Sequence, residues 1–155
     1  MTYILLIAFV ILLIIIAIWD IRTMEISNVA VGIVLGIGVL AAFVQRDLLL
    51  WERLVGLICV SLPLLLITMA VPNAFGGGDI KLMAAAGFYL GFRLTLLAFF
   101  LSILGGGIYG IWLLLTKKKD KKEHFAFGPF LCAGMIVAVF LGEWLIGWYM
   151  NQMGF

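Results

Sequence analysis

Two aspartates stand at the edges of apolar segments, where a pair of carboxylates could do chemistry. Asp20 directly follows the apolar residues 3–19, and Asp79 directly precedes the apolar residues 80–92. Two carboxylates that are brought close together cannot both ionise at low cost, so they share a proton. The ionised group can take a proton from water, while the protonated group polarises the peptide carbonyl that this water attacks. Such a pair can hydrolyse a peptide bond without a metal or a nucleophilic side chain, although a lone aspartate more often caps a helix.

The composition places this chemistry at a membrane. Of the 155 residues, 66% are hydrophobic and 12% are charged, whereas a soluble domain is roughly half apolar and about a quarter charged. These proportions exclude a soluble globular protein, a disordered chain and a nucleic-acid-binding domain. Because helices satisfy their own backbone hydrogen bonds in lipid, the sequence predicts an all-α, polytopic membrane protein with one transmembrane domain, residues 1–155.

Charged residues and turn formers divide the chain into six candidate transmembrane helices. They comprise residues 3–19, 29–44, 54–71, 80–92, 94–115 and 130–150. The first has no basic residues before it and no A-x-A cleavage site, so it is interpreted as a retained span rather than a signal peptide. The fourth is short for a crossing, and its Ala84-Ala85-Ala86-Gly87 sequence favours packing against other helices over contact with lipid.

The order of the spans puts both aspartates on the same face of the membrane. Spans two and three lie between Asp20 and Asp79, so the chain crosses twice and returns. Five lysines cluster in residues 117–122, and with this cluster in the cytoplasm seven basic residues lie inside and three outside. The sequence therefore predicts a multi-pass protein of the cell (inner, cytoplasmic) membrane with both aspartates at its cytoplasmic face. Contact of the lysines with lipid headgroups or with a substrate leader is the alternative role for the cluster.

The other charged and metal-ligating residues are interpreted as structural. Four in the loop between spans two and three are expected to be solvated partners: Arg46, Asp47, Glu52 and Arg53. Glu25 lies in the turn after span one, and Glu143 lies within span six. Three belong to the lysine-rich loop or its edge: Asp120, Glu123 and His124. The two cysteines, Cys59 and Cys132, form no CxxC pair and are expected to be small buried side chains.

Three consecutive glycines, residues 76–78, precede Asp79. Glycine permits backbone angles that are closed to other residues and lets another backbone approach closely. The turn could therefore admit a substrate strand beside the carboxylate, although a hinge is an alternative reading. A phosphate-binding loop would need the GxxxxGK[ST] pattern, which this segment lacks.

Three segments of the chain resemble the type IV prepilin peptidases. Residues 75–82, Phe-Gly-Gly-Gly-Asp-Ile-Lys-Leu, carry the GxGD signature. Residues 19–28, Trp-Asp-Ile-Arg-Thr-Met-Glu-Ile-Ser-Asn, are similar to the segment with the family's first aspartate. Residues 125–131, Phe-Ala-Phe-Gly-Pro-Phe-Leu, are similar to the Phe-Gly-Pro stretch before the last span. The three occur in the family's order and at the right spans, so the resemblance extends over nearly the whole chain.

This resemblance implies a membrane aspartic endopeptidase that removes the basic leader from type IV prepilin-like precursors at the cytoplasmic boundary of the membrane. Asp20 and Asp79 would be the catalytic pair. Six further residues would shape the loops or position the substrate: Gly76, Gly78, Lys81, Asn28, Gly128 and Pro129. The implied partners are prepilin-like substrates and membrane lipid but no nucleic acid, and neither a metal nor another cofactor is expected.

The chain departs from the family pattern in two respects. Ser27-Asn28 stands where the family often has Pro-Asn, and the paired CxxC motifs of many bacterial members are absent. A compact, peptidase-only form is therefore expected.

Two other functions remain open for aspartates at membrane spans. One is an ion- or proton-coupled transporter, and the other is a non-catalytic component of a pilus or secretion assembly. A transporter usually has acidic residues near the membrane midplane together with internal repeats. Asp20 and Asp79 instead stand at a boundary, and the sequence shows no repeat, which favours the peptidase.

Overall fold

Apolar runs of the sequence form the helices of the protein, as its composition predicts. The computed structural model describes residues 1–45, 48–71, 75–116 and 126–153. Within these ranges the regular structure is helical, with no strand, in the order α1 (Thr2–Thr23), α2 (Asn28–Val44), α3 (Leu50–Cys59), α4 (Ser61–Ala70), α5 (Gly77–Leu115) and α6 (Gly128–Met153). Several sequence predictions lie outside the described residues: those for Arg46, Asp47, the lysine cluster, Asp120, Glu123 and His124.

The helices present apolar side chains outward, as lipid-facing helices do. Large exposed hydrophobic residues occur along them, including Ile11, Phe43, Leu66, Ile108 and Phe140. Four helical stretches are long and apolar enough to cross a membrane: Thr2–Thr23, Leu50–Ala70, Gly77–Leu113 and Gly128–Gln152, while α2 is a shorter apolar helix. The prediction of an all-α polytopic membrane protein is confirmed, and the count of six crossings stays a prediction.

Pro63 explains why the third predicted span, residues 54–71, consists of two consecutive helices. Proline has no N–H to donate to the Cys59 carbonyl, and its ring crowds that carbonyl. The helix is interrupted at Val60 and resumes when the Leu64 N–H donates to the Val60 carbonyl at 3.1 Å. The span also begins earlier than predicted, at Leu50.

The fourth and fifth predicted spans form one long helical stretch, α5, which breaks at Gly91. Gly91 has φ 75° and ψ 173°, a conformation that only glycine adopts readily. The predicted boundary between the fourth and fifth spans lies at Arg93, because a charge interrupts the apolar sequence there. Arg93 instead lies within the helix that follows, and its side chain is exposed. The break therefore follows backbone conformation rather than charge.

Arg53 corrects the prediction of a solvated outer ion pair. Its side chain is 1% exposed. Its guanidinium donates to the carbonyls of Phe88 and Tyr89, just before the break in α5, and to the carbonyl of Gln45 at the end of α2, each at 3.3 Å. Helix ends leave such carbonyls without intrahelical partners. Arg53 is therefore an internal cap for two helix ends.

Glu52, another of the four residues predicted to be solvated partners, also has a helix-capping role. Its carboxylate accepts a hydrogen bond from the Leu49 N–H at 3.1 Å, at the start of α3. A carboxylate at this position satisfies an otherwise unpaired N–H and interacts favourably with the helix dipole. The two neighbouring charges thus act on different helix ends.

The first part of α5, residues 77–90, lies inside the bundle, as its small residues predict. Ala85 and Ala86 are buried. Gly87 meets Gly56 of α3 so closely that a Cβ on either glycine would collide with the carbonyl oxygen of the other. The ring of Tyr89 stacks on Phe9 of α1 with centroids 4.2 Å apart. These contacts hold the helix that begins near Asp79 between α1 and α3.

The second part of α5 packs antiparallel to α6. Gly134 lies against Ala98 and Ser102, and Gly142 lies against Leu94. The absence of a Cβ at these positions allows the helix backbones to approach, which is a common device in membrane bundles. This arrangement returns the start of α6 to the face on which α1 ends and α5 begins.

Removal of the Arg53 cap should destabilise the fold. We expect Arg53→Gln to lower the free energy of unfolding in detergent micelles by about 2–3 kcal/mol, because charged hydrogen bonds to buried carbonyls are lost. The matched control is Arg93→Gln, which changes an exposed arginine nearby and should have an effect below about 0.5 kcal/mol. Equal stability of the two variants would contradict the capping role.

Candidate active site

Asp20 lies in the last turn of α1, and a tight turn follows it. Met24 adopts the left-handed conformation, φ 53° and ψ 27°, and its N–H donates to the Asp20 carbonyl at 2.8 Å. The Thr23 hydroxyl lies 3.0 Å from the Trp19 carbonyl and accepts a hydrogen bond from the Glu25 N–H at 3.3 Å. The turn fixes the path of the chain from Asp20 to the start of α2.

Asp79 lies in the first turn of α5, directly after the three glycines. Its side chain is 9% exposed. A Cβ on Gly76 would stand 3.0 Å from the Asp79 Oδ2 atom, so the carboxylate occupies space that a side chain would crowd. A helix N-terminus favours a carboxylate because its N–H groups carry partial positive charge.

The glycine turn also receives the segment that follows Asp20. A Cβ on Gly78 would stand only 2.8 Å from the Cβ of Ile26, which lies between α1 and α2. Nearby, the Lys81 Nζ donates to the Asn28 Oδ1 at 2.8 Å. The two segments that the sequence analysis singled out are therefore joined by packing and by a hydrogen bond.

Ser27 has a local role where a proline was expected from the family resemblance. It is the N-cap of α2, and its side chain accepts a hydrogen bond from the Val29 N–H at 3.3 Å. Serine is among the residues that cap helices best. The departure from Pro-Asn thus leaves the helix start well formed, with Asn28 as its first residue.

The start of α6 faces Asp20. A Cβ on Gly128 would overlap the Asp20 Oδ2 atom and stand 3.0 Å from Cγ. Pro129 follows in the first turn, where a missing N–H costs the helix no hydrogen bond. The end of α1 and the N-terminus of α6 therefore meet at this carboxylate.

A single cavity of about 310 Å³ brings most of these residues together. Its lining comprises Asp20, Met24, Glu25, Ile26, Asn28, Gly76, Gly77, Gly78, Asp79 and Lys81. The two aspartates are near enough for their charges to interact. Gly128 lies beside Asp20 without lining the cavity, and Pro129 stands next to it in α6. Glu143, predicted to be structural, is exposed and is not part of this lining.

One oxygen of Asp20, Oδ2, is buried beside the first residue of α6. Asp20 is 4% exposed, and its buried Oδ2 atom has no hydrogen-bond partner among the described residues. Buried polar atoms are nearly always hydrogen-bonded, so an unpaired carboxylate oxygen in a cavity requires an explanation. A water or a substrate carbonyl that enters the cavity would supply the missing partner.

The proximity of Cys132 to the aspartates was not predicted from the sequence. The sequence predicted a small buried side chain, and Cys132 is indeed 1% exposed. It also lies within electrostatic range of both Asp20 and Asp79. The available signal was its spacing: Cys132 is four residues after Gly128, which puts it one turn further along the same helix face. Among the described residues no group of three His, Cys, Asp or Glu could hold a metal, and the metal-free expectation stays a prediction.

Comparison with known protein families gives a match that includes these same residues. The model of the type IV leader peptidase family matches residues 7–111, which include both aspartates and the glycine turn. The chain belongs to this family. The resemblance found in the sequence is thereby confirmed at the level of the family.

Three relatives are each named prepilin leader peptidase/N-methyltransferase. The protein of Bacillus subtilis is 35% identical over 146 residues, which are 94% of this chain and 59% of the relative. The protein of Legionella pneumophila is 35% identical over 83 residues, 54% of this chain and 29% of the relative. That of Aeromonas salmonicida is 36% identical over 81 residues, 52% and 28% respectively. The chain thus spans less than two thirds of the length of these relatives, and no solved structure matches it.

The two neighbouring glycines of the turn should respond differently to a methyl group. Gly78→Ala should lower the free energy of unfolding by about 1–3 kcal/mol, because the new Cβ collides with the Cβ atom of Ile26, whose position the backbone fixes. Gly77→Ala is the matched control: nothing lies within 4 Å of its Cβ position, and alanine favours a helix. Thermal unfolding in detergent measures both variants. A Gly78→Ala variant as stable as Gly77→Ala would contradict this packing.

Proposed function

We propose that this chain is a membrane aspartic endopeptidase that removes the basic leader from type IV prepilin-like precursors. The observation that carries the proposal is the position of Asp20 and Asp79 in one cavity, where their charges interact. Membership of the type IV leader peptidase family and the names of the relatives support the same reaction. The proposal is confined to the peptidase step, because the aspartate pair accounts for hydrolysis and for no other chemistry.

The two carboxylates would act as acid and base with one shared proton. The ionised carboxylate takes a proton from water, and the oxygen of this water bonds to the peptide carbonyl carbon. The protonated carboxylate gives its proton to the carbonyl oxygen. In the second step the first carboxylate passes its proton to the leaving amine, and the C–N bond breaks. A hydroxyl of the intermediate returns a proton to the second carboxylate, so the pair ends as it began.

The glycine turn would let the substrate backbone reach this pair. Gly76 leaves room beside the Asp79 carboxylate, and Gly77 has open space at its Cβ position. A peptide bond must come within about 3 Å of the attacking water and of the acid for the reaction to proceed. Side chains at these positions would hold the substrate backbone away from the aspartates.

The reaction would take place at the cytoplasmic face of the cell membrane. The cavity lies where α1 ends and α5 begins, and it includes Lys81, with Arg22 in the last turn of α1 nearby in the chain. Basic residues at the ends of membrane helices favour the cytoplasmic side. A precursor with its apolar helix in the membrane would then expose its leader to this cavity.

Replacement of either aspartate should abolish leader removal. In purified, lipid-reconstituted protein, Asp20→Asn and Asp79→Asn should each lower the cleavage rate at least about a thousandfold, because neither amide can replace a carboxylate that exchanges protons. The substrate is a synthetic precursor with a basic leader, a glycine and an apolar helix, and mass spectrometry identifies the products. Glu143→Gln, an exposed change outside the cavity, is the control and should keep normal cleavage.

The same preparation separates the peptidase from the other candidate functions. Normal cleavage by either aspartate variant would defeat the assignment of the pair. Proton or ion flux across the reconstituted membrane that depends on these aspartates, without cleavage, would indicate a transporter. If the wild-type chain shows neither ion flux nor cleavage, this result would favour a non-catalytic assembly component.

Gly128→Ala tests whether the start of α6 positions Asp20. The new Cβ would overlap Oδ2, and the Asp20 side chain can turn away. We therefore expect the cleavage rate to fall about a hundredfold, as displacement of a reacting group by about 1 Å can cause, while thermal stability changes little. Gly147→Ala in the same helix is the control, since nothing lies within 4 Å of its Cβ position. Normal cleavage by Gly128→Ala would show that α6 does not place Asp20.

A further inference from the structure

The described residues that line the cavity carry more negative than positive charge. Among the described residues, three acidic residues line it, Asp20, Glu25 and Asp79, together with one basic residue, Lys81. Lys81 donates to the neutral amide oxygen of Asn28. A cavity lined mainly by one sign of charge attracts ligands of the opposite sign, and its low-dielectric walls strengthen the attraction. The chemistry of the lining therefore favours a cationic group.

Glu25 differs from the other two acidic residues in its exposure. Asp20 and Asp79 are buried, whereas Glu25 is exposed. Both hydrogen bonds of Glu25 to described residues involve its backbone, and both go to the Thr23 side chain. Its carboxylate is consequently open to a ligand at the cavity, while the two aspartates face inward.

The backbone holds Glu25 in this position. Met24, directly before it, is the only non-glycine residue with positive φ among the described residues. The Thr23 hydroxyl links the last turn of α1 to both backbone groups of Glu25. A group held in place before binding loses less conformational freedom when it binds.

A second feature of the cavity independently indicates that a ligand enters it. The Asp20 side chain is 96% buried and lines the cavity, and its Oδ2 atom lacks a hydrogen-bond partner among the described residues. The cost of such an atom is removed when a polar ligand reaches it. The same lining thus contains one inward polar atom that needs a partner and one outer carboxylate that is free to bind.

We propose that Glu25 binds a lysine or arginine side chain of the substrate and is the residue that sets the preference for a basic residue near the cleaved bond. This inference rests on the proposed peptidase function, and it assigns separate tasks to the three acidic residues. Asp20 and Asp79 act on the peptide bond, and Glu25 selects the substrate by charge. A metal ion is a poorer occupant, because no group of three suitable ligands exists among the described residues.

The effect of substrate charge on KM should therefore depend on the residue at position 25. The test uses three precursors that differ at one leader position near the cleaved bond, with lysine, glutamine or glutamate. Glu25→Gln should raise KM for the lysine precursor about threefold to fivefold, the size expected for an exposed ion pair, with kcat within about twofold. It should leave KM for the glutamine precursor unchanged. Glu25→Lys should reverse the preference, so that the glutamate precursor is cleaved better than the lysine precursor.

Controls isolate the charge effect from folding. Glu143→Gln makes the same chemical change at an exposed position outside the cavity and should leave all three KM values unchanged. The effect of Glu25→Gln should also shrink as the salt concentration is raised toward about 1 M, because salt screens exposed charges. Equal changes in KM for the lysine and glutamine precursors, or no change for either, would overturn the role of Glu25.

Binding separates this inference from the proposed function. Fluorescence measures binding of the lysine and glutamine precursors to Asp79→Asn, and to the same variant with Glu25→Gln, with no cleavage needed. A preference for lysine that Glu25→Gln removes supports the inference even if the wild-type chain never cleaves a precursor, in which case only the peptidase proposal fails. Cleavage by the wild-type chain with no such binding preference overturns the inference and keeps the peptidase.

Discussion

The placement of two carboxylates together, mostly out of water, is the constraint on which the rest of the structure depends. Asp20 and Asp79 are 4% and 9% exposed and line the same cavity. Like charges in such surroundings repel, and burial makes each ionised form costly. The fold offsets this with helix N-termini, whose partial positive charge favours carboxylates. Asp79 lies in the first turn of its own helix, and Asp20 faces the first residue of α6.

The position of Asp79 depends on contacts along the whole helix that carries it. From Asp79 to the break at Gly91 the helix is about 18 Å long, at 1.5 Å per residue. At its far end, Arg53 bonds the carbonyls that the break leaves unpaired. Between the two ends, the contact of Gly56 with Gly87 allows almost no sliding, because backbone meets backbone there. The cap and the close contact therefore fix the helix that carries Asp79 along its length against α3.

The pairing of the two aspartates could be predicted from the sequence because it depends on the number of spans between them and not on side-chain packing. Two predicted spans between the residues would return the chain to the same face, and the structure brings both aspartates to one cavity. The internal cap at Arg53 could not be found in this way, since its partners are backbone carbonyls about 35 residues later, which carry no sequence signature. The break at Gly91 was missed for a related reason: Arg93 is the more visible boundary, whereas a positive φ depends on how α3 packs against α5. Pro63 could have predicted the interruption at Val60, but the continuous apolar sequence around it suggested one uninterrupted helix.

The position of Asp20 relative to the lipid-facing surface bears on which bond such a protein would cut. Trp19 and Ile21, on either side of Asp20 in the chain, are 59% and 63% exposed, so apolar surface continues outside α1 as far as the level of the aspartate. Such surface belongs against lipid, and tryptophan favours the membrane–water interface. A substrate helix lying in the lipid beside α1 would therefore reach the cavity only where its own apolar segment ends. Under the proposed peptidase function, the aspartates would cut where the basic leader of the substrate borders its apolar segment.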